Sequence, residues 1–259
     1  MKLGMQDVSV VLASGDPGVA GPAGDGNADG CLSTGQIFSP DFPATCPYIT
    51  TVGATYLPPG ANVNTDAEVA VTRFGSGGGF SNIYPIPPYR SKAVSTYLTQ
   101  HTPPYKAYSG NNNQNIGAGS GIYNNAGRGY PDVSAVGDNI VIFSAGLPTL
   151  IGGTSASAPV FSAILNRINE ERLAVGKATV GFVNPTLVSS LVLNTTQRTN
   201  AYVCLVCQPT GSSGYHHRRQ SRVQYRRLLS FGWMGSRHRS GYTKLPSYVE
   251  AFHDLVIRI

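Results

Sequence analysis

The sequence predicts an α/β layered fold. Apolar runs with strand character alternate with stretches whose apolar residues recur at helical spacing, and Gly, Pro and Asp clusters bound them. With 31 Gly, 18 Pro and only 12% charged residues, the chain is loop-rich and compact, unlike a helical bundle. Its 259 residues suffice to bury one substantial core, and length alone leaves one or two domains open. No internal repeat is present.

The elements follow in order. Residues 7–14 (DVSVVLAS) alternate and then become continuously apolar, as in a buried parallel strand. A long loop, GDPGVAGPAGDGNADG, comes next. CPYITTVGAT reads as a second buried strand and EVAVTRF as a third. A glycine loop and a proline-rich turn then lead to a helix from about residue 90. Residues 107–132, low in complexity and rich in Asn and Gly, read as surface loop. Residues 133–153 predict a strand pair or hairpin. Over 156–173, Val160, Ile164, Leu165, Ile168 and Leu173 suit one helix face.

Charge divides the chain. Residues 1–187 hold nine Lys/Arg against eleven Asp/Glu, a net of −2. Residues 188–259 hold ten Lys/Arg against Glu250 and Asp254, a net of +8, with four of the five histidines. Such a tail is the composition of a nucleic-acid arm. No apolar run approaches the roughly 18 residues that a membrane span needs. The N-terminus lacks the cleavage site of a signal peptide and reads as the edge of a strand, so Met1 is expected to be an internal position. Cys31 and Cys46 flank a Gly/Pro-rich loop and are expected to form a disulfide, which favours an oxidising compartment. Cys204 and Cys207 form a C-x-x-C, a redox or half-zinc spacing.

The chemistry centres on Thr154-Ser155-Ala156-Ser157-Ala158-Pro159, a serine turn opening a helix. Free N–H groups and the positive dipole end at a helix N-terminus suit an oxyanion, although Thr154 or Ser155 can equally be a plain helix cap. A nucleophilic serine needs a base, and His101 is the only histidine before residue 188. It stands next to Thr102-Pro103-Pro104 in a loop.

The octet GGTSASAP resembles the nucleophile turn of the subtilisin-like clan, and most of all that of the sedolisins, the serine-carboxyl peptidases that include tripeptidyl-peptidases. VSVVLASGDPGVAG, IFSPDFPATCPYITTVGAT, SGGGFSNIYPIPPY and GRGYPDVSAVGDN resemble sedolisin segments in the family's order. Together they span residues 1–187 and imply a subtilisin-like three-layer fold with a parallel sheet, incomplete at both ends. The resemblance implies Ser155 as nucleophile and Asp16, in the S-G-D turn, as oxyanion-hole residue. Before Pro17-Gly18, Asp16 also suits an ordinary turn.

In this family a glutamate takes the serine proton and an aspartate orients it. A carboxylate base still accepts protons in acid, where histidine is charged, and a protonated aspartic acid can donate to an oxyanion. The glutamate–aspartate pair, one helical turn apart, belongs upstream of the S-G-D strand. No E-x-x-x-D occurs in residues 1–187. The chain is therefore expected to be a catalytic domain truncated at its front, inactive by itself, monomeric and secreted by family, acting on peptide or protein substrates. Neither nucleic acid nor membrane is expected as a partner.

Beyond residue 187 the resemblance stops. The family's tail carries D-I-T, a glycine-rich loop, G-W-D-P and a calcium site of oxygen ligands, and that ligand loop is absent here. Trp233-Met234-Gly235 can be encoded only as TGGATGGG, which shifted by one nucleotide spells Gly-Trp. Val188-Ser189 permits a splice donor, Thr199-Asn200 a branch point, and Cys204-Leu205-Val206 an acceptor. Residues 188–259 are thus expected to be a retained intron followed by a shifted frame. Two other readings remain: a subtilisin-type enzyme with His101 as base, and a non-catalytic binding protein with a basic nucleic-acid arm. Genomic DNA tests the leading reading. It is expected to encode E-x-x-x-D before Met1 and G-W-D-P in the second phase, and the absence of either contradicts it.

Overall fold

The computed structural model describes residues 1–21, 30–33, 36–63 and 65–193. The basic tail after residue 193, with its C-x-x-C, lies outside the described residues.

In chain order the elements are β1 (Val11–Ala13), β2 (Thr50–Tyr56), β3 (Val69–Ala70), β4 (Gly79–Pro85), α1 (Ser91–Gln100), β5 (Ala107–Tyr108) and β6 (Tyr123–Asn124). They continue with β7 (Gly127–Tyr130), β8 (Val133–Val136), β9 (Ile140–Ser144), β10 (Leu147–Ile151), α2 (Thr154–Ala174) and α3 (Asn184–Leu193). The central sheet is built on β2, whose residues are buried up to Thr55. β1 runs parallel to it, Val11 opposite Thr50 and Ala13 opposite Val52. β8 runs parallel on the other side, Val52 opposite Val133 and Thr55 opposite Val136. β3 is antiparallel and only two residues long, shorter than the apolar run EVAVTRF predicts.

Alternate residues of β2 face opposite ways. Val52 joins the core beneath α2, with Ala135, Phe161, Leu165, Ile168, Val183 and Leu187. On the opposite side the Thr51 hydroxyl donates to the Ala44 carbonyl, and the space beside Gly53 is taken by Pro131, Ser134 and Ser76. Helix α2 supplies one layer, and loop segments cover the other face among the described residues. A second core, Val19, Ala20, Cys31, Phe38, Phe80, Val94 and Tyr123, packs under α1. Helix α3 crosses the expected boundary at residue 187, with Leu187 and Val188 both buried.

The buried face of α2 differs from the sequence expectation. It consists of Thr154, Ser157, Ala158, Phe161, Leu165 and Ile168, while Val160 and Leu173 are 38% and 59% exposed. The first turn is held at Thr154, and 3.6 residues per turn then carry Ser157, Ala158 and Phe161 inward and Val160 outward. Pro159 has no N–H to give the Ser155 carbonyl, which interrupts the helix ladder one turn in.

Residues 107–132 are not surface loop throughout. They form β5, β6 and β7, and they bury Tyr108, Tyr123, Asn124, Arg128 and Tyr130. Asn124 shows why composition misled: its amide donates to Ser81 O and Gly110 O, both at 2.7 Å, and accepts from Gly110 N. A buried amide with its partners satisfied is internal structure. The predicted hairpin forms as β9–β10, whereas β8 belongs to the main sheet.

The Cys31–Cys46 bridge does not form. Cys46 is a free thiol, and Cys31 is disulfide-bonded but not to it. Cys31 is fully buried in the core under α1. Cys46 ends a turn closed by Thr45 N→Asp41 O and Cys46 N→Pro43 O, which the Thr51 hydroxyl and the Tyr89 phenol, donating to Pro47 O, tie to β2 and the α1 approach. A disulfide needs facing cysteines within about 7 Å, and sequence proximity does not ensure that.

Asp132 clamps the layers. Its carboxylate accepts from Thr51 N at 2.8 Å, from Arg128 at 2.6 Å, and from Arg90. Both the Arg128 and Asp132 side chains are fully buried. Removing one partner of such a pair leaves an uncompensated charge, so Asp132→Ala is expected to cost about 3–5 kcal/mol in urea unfolding. A cost under about 1 kcal/mol would contradict the clamp.

Glu68, before β3, accepts through Oε2 from the Thr55 hydroxyl at 2.5 Å. Burial pushes its carboxyl above the usual range, and the Thr55 hydrogen bond offsets part of that. A raised folded value favours the protonated form. Its stabilisation is complete below the unfolded value of about 4.3 and is lost as pH rises through the folded one. Relative to Glu68→Gln, the wild-type chain is therefore expected to lose urea resistance as pH rises above about 4. An unchanged difference would contradict that assignment.

Candidate functional site

The site lies where β1 ends and α2 begins. After Ala13 the chain keeps one more sheet bond, Ser14 N→Val52 O at 2.9 Å, then turns at Gly15 with φ +96. That backbone suits glycine. The turn presents Asp16, whose Oδ1 accepts from both the backbone N–H and the hydroxyl of Thr154, each at 2.8 Å. In return the Thr154 hydroxyl accepts from Gly15 N at 3.1 Å. Thr154 is 1% exposed, so these bonds form in a protected environment.

Asp16 thus does the work of a helix cap from 138 residues away. Gly153 is the capping residue by position, and neither the Thr154 nor the Ser155 side chain caps the helix. Gly153 has φ +147, and a Cβ there would stand 3.0 Å from Asp16 Oδ2. The second carboxylate oxygen therefore faces the bend immediately before Ser155. Ser155 itself is exposed, and among the described residues neither its hydroxyl nor its N–H has a hydrogen-bond partner.

The structure places Asp16 against Gly153 and Thr154, the two residues that precede Ser155, so the two residues singled out from sequence lie on the same turn. It does not bring His101 to them. His101 terminates α1 and lies against the Tyr97 ring at 6.0 Å between centroids, beside the second core. No carboxylate contacts the Ser155 hydroxyl among the described residues. Glu250 and Asp254 do have E-x-x-x-D spacing, but they follow the serine and lie outside the described residues. No three His, Cys, Asp or Glu side chains are grouped to hold a metal among the described residues.

Two features escaped the sequence reading. Thr154, read only as an alternative cap, is the buried connector. Arg73 and Asp138 close the other side of the turn, with Arg73 Nε donating to Asp138 Oδ1 at 2.9 Å and Nη2 reaching the same oxygen at 2.5 Å. A side chain on Gly152 would overlap both groups. The pair of glycines carried that signal: one admits a carboxylate, the other a guanidinium.

No family model matches the chain. Tripeptidyl-peptidase sed1 of Aspergillus fumigatus is 63% identical over 188 residues, covering 72% of this chain and 29% of that protein. Over this stretch the chain belongs to the sedolisin family. Aorsin of Aspergillus oryzae is 56% identical over 193 residues, again 72% of this chain and 29% of the relative. Tripeptidyl-peptidase 1 of the dog is 38% identical over 192 residues. A solved Pseudomonas sedolisin, a serine-carboxyl proteinase complexed with two molecules of pseudo-iodotyrostatin, has a TM-score of 0.52 at 22% identity. It covers 75% of this chain and 46% of that one, and establishes the sedolisin fold, a subtilisin-like α/β architecture. The chain spans 29% of the length of the two fungal relatives.

Thr154→Val removes the donor to Asp16 and the acceptor for Gly15 N while keeping the volume. It is expected to cost about 1–3 kcal/mol in urea unfolding, with Thr154→Ser costing less. Equal effects of the two would contradict the hydroxyl's connecting role.

Proposed function

We propose that this sedolisin chain carries the nucleophile and oxyanion half of an acid-acting serine peptidase site. The single observation behind this reading is the Asp16–Thr154 connection, which holds a carboxyl group against the turn whose next residue is an accessible serine. The Ser155 hydroxyl attacks a peptide carbonyl. Its proton passes to a carboxylate base and then to the leaving amine, and the carbonyl oxygen becomes an oxyanion. The Ser155 N–H, at the positive end of α2, and a protonated Asp16 donate to that oxyanion. Collapse gives an acyl-Ser155 ester and the free amine, and water releases the acid.

The base is the family's glutamate, oriented by an aspartate. Because no such pair meets Ser155 among the described residues, the 259-residue chain alone is expected to be inactive. The substrates are peptides, as the names of the fungal and mammalian relatives indicate. A secreted setting is inferred from the family resemblance. A monomeric state is inferred from the family resemblance, which places calcium in the family's tail loop and not in residues 1–187.

Two assays test the reading. Ser155-dependent turnover of a peptide by the chain alone at about pH 4 would show that the outside carboxylates are dispensable. Residues 1–187 exchanged into the Aspergillus fumigatus relative are expected to give acid peptidase activity that Ser155→Ala abolishes and Asp16→Ala lowers by about 100-fold or more. Unchanged activity in either variant would overturn the assignment.

A further inference from the structure

The guanidinium beside the nucleophile turn has donors to spare. Arg73 follows β3 and is 57% exposed, while its partner Asp138, just after β8, is 6% exposed. The Asp138 carboxylate also accepts from Asn139 N at 2.9 Å, so it is fixed from two sides. Arg73 spends its Nε and Nη2 on one oxygen of that carboxylate. A guanidinium has five N–H donors, and Nη1 has no partner among the described residues.

Its position is built. The missing side chain at Gly152 leaves the space that the guanidinium and Asp138 occupy. Gly152 does not have the positive φ of Gly153, so the requirement there is room, not backbone freedom. The guanidinium is consequently held against the residue three places before Ser155, with its remaining donors toward solvent. A tie between β3 and β8 alone would be served by burying the whole pair, and this one buries only the acid.

We infer that Arg73 forms a carboxylate-binding subsite at the edge of the nucleophile turn, so that peptides presenting a carboxylate close to the bond at Ser155 bind in preference to their neutral counterparts. This rests on the peptidase reading above and names a substrate class for the same site. Planar N–H pairs match a carboxylate's two oxygens, which gives direction as well as charge. Asp138 already neutralises part of that charge, and Asp16 stands across Gly153 with its Oδ1 turned to Thr154. The exposed setting limits the gain to about fivefold.

Peptide binding tests this without turnover, on the full 259-residue chain. The probes are fluorescent peptides of about nine residues, amidated at the C-terminus, with a single Glu moved along a neutral apolar sequence, and the same set with Gln. At about pH 5.5, where a peptide Glu is ionised, at least one Glu peptide is expected to bind about fivefold tighter than its Gln twin. At about pH 3 the Glu is protonated and the advantage is expected to vanish. Arg73→Gln is expected to abolish it and Arg73→Lys to keep part of it. In the wild-type chain the Arg73 Nε resonance is expected to shift with the Glu peptide and stay with the Gln peptide, a readout independent of variant folding. A free C-terminus giving the Arg73-dependent gain in place of Glu supports the subsite and assigns it to the chain end. Equal binding of every pair, or an advantage surviving Arg73→Gln, overturns the subsite alone. Failure of every peptide to bind overturns it together with the peptidase reading.

Discussion

The arrangement of this site depends on one hydrogen-bonded connection between the turn after β1 and the first residue of α2. β1 delivers Asp16 and α2 begins at Thr154, and the carboxylate of the first holds both donors of the second. The return bond from Gly15 N makes the contact reciprocal. Without it, the start of α2 would have an unpaired buried N–H and hydroxyl, each costly in a protected interior. The same connection sets the rotation of α2. Once Thr154 is fixed, Phe161, Leu165 and Ile168 fall on the sheet side, and Val160 is carried outward.

The two glycines before Ser155 follow from that constraint by different routes. Gly153 adopts a backbone conformation other residues avoid, and brings Asp16 Oδ2 against the bend. Gly152 is a matter of room for Arg73 and Asp138. A helix N-terminus by itself is a common feature. What marks this one is that a carboxyl group serves as its cap while the following serine keeps its hydroxyl and N–H accessible. Such a carboxyl suits a peptidase whose proton chemistry runs on acids in place of imidazole.

Much of this was legible in the sequence wherever local pattern and tertiary requirement coincide. The apolar run of β2, the helix beginning at α1 and the hairpin before Gly152 follow from periodicity and turn residues. Ser155 and Asp16 were singled out through the order of several motifs, since neither is distinctive alone. The misses share a cause. Asn124 and Arg128 look like surface residues until their partners 43 and 4 positions away are known. The α2 face was offset because its first turn is held by Asp16, which no local pattern records. The expected disulfide failed for a similar reason, since Cys31 and Cys46 sit in different packing environments despite their short separation.

The central claim is that Asp16, held by Thr154, prepares Ser155 for acylation. The most direct measurement is acid-quenched mass spectrometry of residues 1–187 carried within the Aspergillus fumigatus relative, mixed briefly with a slow ester substrate at about pH 4. An acyl group is expected on the fragment containing Ser155, with its near-disappearance in Asp16→Ala. An acyl group on another residue, or one that accumulates equally in Asp16→Ala, would contradict it.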